Sequence, residues 1–439
     1  MNKKTENKAV SPWQWVPSLY FAQGIPYVVV MSVAVILFKR MGMSNTDIAL
    51  YTSGLNLPWV IKPLWSPLVD LLKTKRWWIV VMQILVGAGL AGIALTIQGP
   101  LAFRYCLAFM WLLAFSSATH DIAADGFYML GLNEKKQAYF VGIRNTFYRF
   151  AVIFGQGILV MFAGWLEQRY AREMPETAAI PQAWSLTFYL LTILFALLFV
   201  YHYLFLPHPR RDTCTLPPQQ ASAGRVFKEF LGTFTSFFQK KHIVSALIFI
   251  LLYRFAEAQL VKITSPFLLD TPATGGLALS TAEVGFIYGT IGVIALTIGG
   301  IVGGIAMARR GLKSCLWTMT IAMNLPNIVY LYLSFARPES IGIISGCVAI
   351  EQFGYGFGFT AYMLYLIYFS EGEHKTDHYA ICTGFMALGM MLPGMAAGWL
   401  QETIGYRHFF VWTIICCAAT IGVCAFIKID PSFGRKKEE

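Results

Sequence analysis

Charged residues are scarce in this chain. Lys, Arg, Asp and Glu together make up 13% of its 439 residues, whereas 56% are hydrophobic. Because soluble domains carry about a quarter charged residues, this composition excludes an ordinary soluble fold. Apolar runs of roughly 18 to 25 residues recur between positions 15 and 428, which predicts a polytopic α-helical membrane protein.

Motifs for metal binding, nucleotide binding and hydrolysis are also missing. The eight Cys show no CxxC or His-rich spacing, so neither a disulfide framework nor a metal centre is predicted. HExxH and GxSxG strings are absent, which disfavours an enzyme. The glycines at 299–304 have no Lys-Ser/Thr after them, so they indicate close helix packing and not a phosphate loop. No cofactor is expected.

The net charge of +11 has a simple membrane explanation. Lys and Arg cluster in the short loops of one side, with roughly 22 on the side of the N-terminus and 6 on the other. This asymmetry predicts that both termini lie in the cytoplasm. It also indicates that the basic residues flank a lipid bilayer and do not bind nucleic acid. A signal peptide is not predicted, because the Lys-rich tail runs directly into a long apolar span.

The apolar runs predict an all-α fold of twelve membrane helices in two pseudo-symmetric six-helix halves. The N-terminal half covers 1–206, a polar cytoplasmic linker covers 207–242, and the C-terminal half covers 243–439. The predicted spans are 14–39, 46–70, 78–98, 101–131, 139–166, 184–206, 243–270, 278–308, 313–334, 339–370, 377–402 and 406–428. Two halves of six spans around a basic linker are typical of the major facilitator fold, whose substrate site lies near the membrane midplane.

Ionisable side chains within two neighbouring spans are the most informative feature. The fourth span carries His120, Asp121 and Asp125, and the fifth carries Arg144, Asn145, Arg149 and Gln156. Charges in hydrocarbon are rare unless they face protein, water or substrate. Spacings of four and seven place the two Asp on one helix face and Asn145, Arg149 and Gln156 on another. Asp121 and Arg149 are expected at equal depth, facing each other.

We interpret Asp121, Asp125 and His120 as the proton-coupling group. Burial disfavours an ionised carboxylate and a nearby cation favours it, so a conformational change can bind or release a proton. A structural ion pair between the fourth and fifth spans, a His satisfied by a neighbouring helix, and a membrane-embedded metal site made by these three residues are the alternatives.

Further polar and aromatic side chains at similar depth predict a substrate site. Tyr supplies a flat apolar face with a polar tip, Arg recognises carboxylates, and intramembrane Glu is rare without a function. The predicted substrate-binding residues are Arg149, Asn145, Gln156, Tyr20, Gln23, Tyr27, Tyr253, Arg254, Glu257, Glu351, Tyr355 and Tyr362. The predicted gating residues are Lys62, Asp70 and Arg144. Core packing for the Tyr residues, and a Lys62 that extends to the membrane surface, remain alternatives.

Several strings resemble the AmpG-like permeases of the major facilitator superfamily. The most specific are Trp-Ser-Pro-Leu-x-Asp at 65–70 and Asp-Ile-x-x-Asp at 121–125. Weaker ones include Phe-Ala-Gln-Gly-Ile-Pro at 21–26, Tyr-Arg at 148–149 and Glu-Gln at 351–352. The chain departs from the pattern at His120, where Gln is expected, and at Gly126-Phe127, which replace Ala-Trp.

The resemblance implies proton-driven import of anhydromuropeptides, or of a related amino-sugar or glycopeptide, across the bacterial inner membrane during peptidoglycan recycling. The expected partners are a small-molecule substrate and protons, and the protein is expected to be a monomer. The residues leave three alternatives open. These are a transporter of another saccharide, peptide or CoA-type organic anion, a membrane sensor that binds its ligand without moving it, and an intramembrane enzyme.

Overall fold

Long helices dominate the chain, and the part that is described contains no strand. A computed structural model describes residues 10–209, 212, 232, 234–372, 374–431 and 433, without the side chains of 70, 71, 134 and 138. Polar turns start the helices: the side chains of Ser44, Thr74, Asn133 and Ser280 each accept a hydrogen bond from a backbone N–H in the following turn. Such caps satisfy amide groups that have no partner inside the helix.

Nine helices of the described chain are long and apolar enough to cross a membrane. One of them, Lys375–Val423, bends at Gly405, where φ is 75°, and therefore forms two membrane helices. Two more crossings, Asn45–Leu72 and Ile341–Ser370, complete the predicted twelve. In chain order the helices are α1 Pro12–Arg40, α2 Asn45–Gly54 with Leu57–Leu72, α3 Lys75–Thr96, α4 Ala102–Gly131, α5 Lys135–Tyr170, α6 Glu176–Phe205, α7 Ile243–Leu269, α8 Thr281–Arg310, α9 Leu312–Ala336, α10 Ile341–Ser370, α11 375–404 and α12 406–423.

Several helices are interrupted near their middle. Segments of π-helix occupy Val29–Val33 in α1, Ile153–Ile158 in α5 and Gly285–Gly292 in α8. Helix α7 breaks at Tyr253 and Arg254, where Arg254 has φ −110° and ψ 21°. Wide turns of this kind often occur at functional sites, because they re-aim side chains and backbone groups.

The helix ends define two faces of the bundle. We call the face where α1 begins and α12 ends the N-terminal face, and the face that holds the α1–α2 turn and the bend at Gly405 the opposite face. The two halves pack tightly toward the opposite face: a methyl group added to Gly394 of α11 would lie 2.6 Å from the Ser53 Oγ of α2. Between α8 and α5, a methyl group added to Gly285 would lie 2.8 Å from the backbone nitrogen of Met161. Glycine at these positions allows two helix backbones to approach closely.

The predicted linker at 207–242 falls mostly outside the described residues. Within its described part, Asp212 accepts hydrogen bonds of 2.7 and 3.0 Å from the backbone nitrogens of Lys75 and Arg76, at the start of α3. Lys240 donates to the carbonyl oxygens of Phe369 and Glu371 at the end of α10, 2.6 and 2.8 Å away. A cation at a helix C-terminus satisfies backbone acceptors that the helix leaves unpaired. These contacts attach the two ends of the segment to different halves.

Candidate functional site

Asp121 of α4 lies opposite α2. Its Oδ2 atom accepts a hydrogen bond of 3.2 Å from the indole of Trp59 and lies 3.6 Å from the Lys62 ammonium. Pro58 and Pro63 flank this stretch of α2, and the interrupted helix carries both partners toward α4. No ion pair between described residues joins Asp121 to Arg149, the residue expected to face it, although both lie within electrostatic range of Tyr27. Lys62 instead reaches a carboxylate of α4, as one of its two predicted interpretations required.

Asp125, one helical turn nearer the N-terminal face, has a different cation. Its Oδ1 lies 3.4 Å from the guanidinium of Arg144 in α5 and accepts a hydrogen bond of 3.1 Å from the Tyr20 hydroxyl. Arg144 also donates to that hydroxyl and lies over the rings of Tyr20 and Tyr128, 4.7 and 5.1 Å from their centroids. The predicted partnership of Arg144 with Asp125 is present, and Tyr20 belongs to this cluster.

Accessibility increases along α4 toward the N-terminal face. The side chain of Asp121 is 15% exposed and that of Asp125 is 41% exposed. Tyr379 at the start of α11 lies within electrostatic range of Asp125, which places this exposed carboxylate on the side of α4 that faces the other half. The two acids therefore lie where α4 faces the C-terminal half, and we call this interface the cleft.

His120 forms no hydrogen bond with either Asp, although Asp125 lies within electrostatic range of its ring. It is 2% exposed, and its Nε2 lies 3.2 Å from the amide nitrogen of Gln83 in α3. The same Gln83 side chain contacts His202 of α6, whose other ring nitrogen lies 3.0 Å from the Ser18 hydroxyl of α1. This buried row of polar groups joins four helices inside the N-terminal half. Gln83, His202 and Ser18 were not predicted from the sequence, because each lies between two apolar neighbours and belongs to no repeating polar pattern.

The centre of the cleft brings together residues of both halves. Tyr27 of α1 lies within electrostatic range of Asp121, Arg149 and Arg254, and its ring packs edge-on against Trp59 at 5.3 Å. Arg149 forms no hydrogen bond or ion pair with any described residue. Asn145, one turn before it, is exposed. The Arg149 guanidinium and the Asn145 amide are thus without hydrogen-bond partners among the described residues.

Two other predicted members of the N-terminal half lie deeper in the protein. Gln23 is 7% exposed, and its Oε1 has no hydrogen-bond partner in the described chain. Gln156 is 8% exposed and belongs to the π-helical segment of α5, where its backbone carbonyl touches Gly289 of α8. Gln156 thus lies at the contact between α5 and α8, and not on the face that carries Arg149.

Arg254 is the cation of the C-terminal half. Its guanidinium donates to the Tyr355 hydroxyl and lies over the rings of Tyr355 and Phe359, 5.2 and 5.0 Å from their centroids. Tyr253 and Tyr362 are fully buried and stack on each other in parallel planes, with ring centroids 5.0 Å apart. Packing accounts for these two rings, and in this structure they do not reach the cleft.

The two intramembrane Glu residues of this half are almost inaccessible. Glu257 is 4% exposed and Glu351 is 1% exposed. Glu257 forms no ion pair with Arg254, although Arg254 lies within electrostatic range of its carboxyl group. Glu351 accepts hydrogen bonds of 2.9 Å from the Tyr330 hydroxyl and from the Gln352 amide. Both acids lie inside the C-terminal half, behind Arg254.

A polar network joins the halves at the opposite face, and the sequence analysis did not single out its members. The Asn45 amide donates to Gln401 at 2.6 Å and to the Tyr406 hydroxyl at 2.9 Å. Lys39 forms an ion pair of 2.6 Å with Asp270. All of these residues lie at the ends of α1, α2, α7, α11 and α12, where each is an ordinary polar loop or helix-end residue.

Further polar contacts join the two halves at the opposite face. Glu167 of α5 pairs with Arg40 at 3.1 Å and accepts a hydrogen bond of 2.6 Å from Thr281 of α8. Lys262 of α7 is 5% exposed, and among the described residues its ammonium donates only to the Thr52 hydroxyl of α2, at 3.2 Å. Every hydrogen bond and ion pair between described residues of the two halves lies in this region. These polar contacts join the halves at the opposite face, and close packing between α11 and α2 continues beyond them, since a methyl group added to Gly384 would lie 2.8 Å from the Val60 carbonyl oxygen.

Two predicted elements remain outside this arrangement. The side chain of Asp70, predicted as a gating residue, lies outside the described residues. No group of three or more His, Cys, Asp or Glu residues with metal-binding geometry occurs in the described chain. A separate groove of about 410 Å³, lined by Trp13, Phe147 and Phe150 among others, lies between α1, α5 and α6 and contains none of the predicted site residues.

Comparison with known proteins identifies relatives of this arrangement. The "Putative transporter AmpG 4" of Rickettsia conorii is 26% identical over 421 residues, covering 93% of this chain and 95% of the relative. The "Anhydromuropeptide permease" of Escherichia coli strain K12 is 24% identical over 403 residues, covering 90% and 75%. The predicted resemblance to AmpG-like permeases is thereby confirmed.

Solved structures show the same fold at low sequence identity. A nucleoside transporter, NupG in a mutant form, superposes with a TM-score of 0.70 at 15% identity, covering 95% of this chain and 99% of that one. A D-xylose–proton symporter gives a TM-score of 0.67 at 13% identity, covering 94% and 96%. The family model described as Major Facilitator Superfamily matches residues 18–392. This multi-span membrane transporter therefore belongs to the major facilitator superfamily.

Proposed function

We propose that this protein imports an anhydromuropeptide, or a related amino-sugar or glycopeptide, together with protons across the bacterial inner membrane. The observation that carries the proposal is the pair of α4 carboxylates, each with its own cation and each on the cleft between the halves. The names of the relatives in Rickettsia conorii and Escherichia coli support the substrate class. No covalent chemistry is required of the protein.

The acids have the surroundings that proton coupling requires. Asp121 is held by Lys62 and Trp59, and Asp125 by Arg144 and Tyr20. All four partners lie on helices other than α4, with Lys62 and Trp59 on α2, Arg144 on α5 and Tyr20 on α1, so a relative movement of these helices changes the charge that each carboxylate experiences. Separation from its cation favours the protonated acid, and renewed pairing favours proton release. Proton binding is thereby linked to the conformation of the N-terminal half.

The arginines supply the substrate-binding charge. Arg149 has no acidic partner in the described chain, and Arg254 contacts only aromatic residues and a tyrosine hydroxyl. Unpaired guanidinium groups bind carboxylates through two parallel hydrogen bonds, as an acidic glycopeptide would offer. Tyr27 and Tyr355 lie beside them and provide flat surfaces for sugar rings. Asn145, exposed one turn from Arg149, adds an amide donor and acceptor.

Sidedness follows from charge. The excess of Lys and Arg in loops of the N-terminal face favours a cytoplasmic position for that face. The polar contacts between the halves at the opposite face support a state that is closed toward the periplasm. We propose that the network around Asn45, Lys39 and Glu167 closes the passage toward the periplasm, and that its rupture accompanies outward opening.

The test is uptake of radiolabelled anhydromuropeptide into proteoliposomes with an imposed pH gradient. Wild-type protein should accumulate substrate above its external concentration, and an uncoupler should abolish this accumulation. Asp121→Asn and Asp125→Asn should lose accumulation but retain exchange of internal for external substrate. Asn133→Ala, which removes a helix cap on the surface, serves as a folded control. Undiminished accumulation by both Asp variants would contradict the proposal.

The same assay addresses the alternatives left open by the sequence. Competition by an unlabelled sugar, peptide or CoA ester, stronger than by anhydromuropeptide, would reassign the substrate. Saturable binding without any uptake would indicate a membrane sensor. Appearance of a chemically altered product would indicate an enzyme.

A further inference from the structure

Glu257 and Glu351 form an acidic pair that the proposed proton pathway of the N-terminal half does not use. The Glu257 Oε2 atom is buried and has no hydrogen-bond partner in the described chain. An ionised carboxylate in such a position lacks the donors that normally compensate for lost hydration. A protonated carboxyl group removes the charge and adds a donor of its own.

Glu351 has partners, but none of them is a cation. The Tyr330 hydroxyl and the Gln352 amide both donate to its Oε2, each at 2.9 Å. Its carboxylate lies within electrostatic range of Glu257, and Tyr288 of α8 lies within range of both acids. Two carboxylates that interact strongly bind and release protons as a unit, not as independent groups.

The charges around the pair do not balance without a proton. Arg254 is the one cation within electrostatic range of Glu257 among the described residues, and none lies within range of Glu351. The other ionisable groups that face the pair are neutral at physiological pH: Tyr288, Tyr330, Tyr355 and Cys417, from α8, α9, α10 and α12. One guanidinium facing two ionised acids leaves a net negative charge in a buried site. One proton shared by the two acids makes the cluster neutral.

Burial also decides what occupies the site. With Glu257 4% and Glu351 1% exposed, neither side chain presents a surface to a substrate ammonium group. The described residues offer no three-ligand acidic or His/Cys cluster for a metal ion. A proton needs no additional volume, so it fits where a larger cation does not.

We propose that Glu257 and Glu351 share a proton in the state seen here and form a second proton-binding site, carried by the C-terminal half. Its part in transport rests on the proposed import function, whereas the shared proton does not. Arg254 links the site to the cleft. A substrate carboxylate bound to Arg254 neutralises the guanidinium, so both acids then favour protonation. One substrate anion and one additional proton are thereby taken up together.

The shared proton can be detected without substrate. Infrared difference spectra of the purified full-length protein, recorded in water and in D₂O at neutral pH, should show the C=O stretch of a buried carboxylic acid. Glu351→Gln should remove this band, because the remaining Glu257 is then balanced by Arg254. Glu257→Gln should retain a band at a shifted frequency, because no described cation lies within range of Glu351. Asp121→Asn is the matched control and should leave the band unchanged. A band that Glu351→Gln leaves unchanged would overturn the proposal.

A second experiment measures the proton stoichiometry of transport in proteoliposomes with the membrane potential held at zero. A gradient of about one pH unit supports about tenfold accumulation of anhydromuropeptide for each coupled proton. We expect about 100-fold accumulation for the wild type and about tenfold or less for Glu351→Gln, with substrate exchange retained as evidence of folding. Accumulation by Glu351→Gln equal to the wild type would overturn the second site. Dependence of wild-type accumulation on sodium at constant pH would also overturn it.

The two proposals fail in different ways. If Asp121→Asn abolishes the dependence of accumulation on the pH gradient and Glu351→Gln does not change it, proton coupling through α4 is supported. The second proton-binding site is then rejected. If the wild type shows no dependence on the gradient, the proposed import function falls, and the infrared band still decides whether the Glu pair holds a proton.

Discussion

Asn45 is the residue through which the closed face can be tested most directly. Its buried amide crosses from α2 to the C-terminal half and donates to Gln401 and Tyr406, at 2.6 and 2.9 Å. A buried hydrogen bond contributes about 1 kcal/mol net, so Asn45→Ala should weaken closure by about 2 kcal/mol. Since 1.4 kcal/mol is about a factor of ten, the ratio of outward-open to inward-open molecules should rise by about 30-fold.

The assay is double electron–electron resonance between spin labels at Arg172 and Glu339, two exposed positions of the opposite face in different halves. Asn45→Ala should increase the population with a long distance between the labels. Ser185→Ala is the matched control, because Ser185 donates a buried hydrogen bond of 2.7 Å to Ala94 within one half. A distance distribution that is the same in Asn45→Ala and wild type would refute this account of the gate. An equal shift in Ser185→Ala would show that the effect is not specific to the contact between halves.

Three further substitutions test other contacts. Gly398→Val should place a side chain against the Asn45 backbone, prevent closure at the opposite face and reduce uptake by at least about tenfold, measured in proteoliposomes. Arg144→Lys retains the charge but loses the flat guanidinium over Tyr20, so uptake should fall while the pH gradient still drives it. Lys240→Ala should lower the free energy of unfolding by about 1 to 2 kcal/mol, seen as a reduced melting temperature in detergent, because two carbonyl oxygens at the end of α10 lose their donor.

The twelve helices and the two halves were predictable because hydrophobic length and loop charge are local properties of the chain. The predicted start of α2 at 46 is close to the observed start at Asn45, which follows the capping residue Ser44. Predicted and observed boundaries differ most where an apolar helix extends beyond the hydrocarbon, as in α6, which begins at Glu176 and not at 184. Hydropathy indicates where a helix leaves the hydrocarbon, whereas backbone hydrogen bonds extend the helix beyond that point.

The predicted stripe of Asn145, Arg149 and Gln156 shows a different limit. Its spacing of four and seven assumes a regular helix of 3.6 residues per turn. The π-helical segment Ile153–Ile158 adds a wide turn between Arg149 and Gln156 and so changes the phase of α5. Gln156 consequently lies against α8. Nothing in the local apolar pattern indicates the wide turn, because the packing of α5 on α8 stabilises it.

The hydrogen-bond and ion-pair partners of the site residues were the least predictable property of the site. Depth along the helices suggested Arg149 for Asp121, but the interrupted α2 brings Lys62 and Trp59 to that carboxylate instead. The contact of Gln83 with His202 joins residues 119 positions apart, and neither has a pattern around it that predicts the other. Helix spacing identifies which side chains share a face, whereas only the assembled bundle decides which faces meet.

Lys262 gives the closed arrangement a built-in tendency to open. Its ammonium group is dehydrated where α7 meets α2, with one hydroxyl, that of Thr52, as its acceptor among the described residues. A cation with so few acceptors gains hydration as soon as water enters between the halves, so the surrounding ion pairs hold the junction shut against this gain. The contact between the halves thus combines ion pairs at its edge with the destabilising charge of Lys262 beneath them. This combination lowers the free energy needed to reverse the direction in which the passage faces.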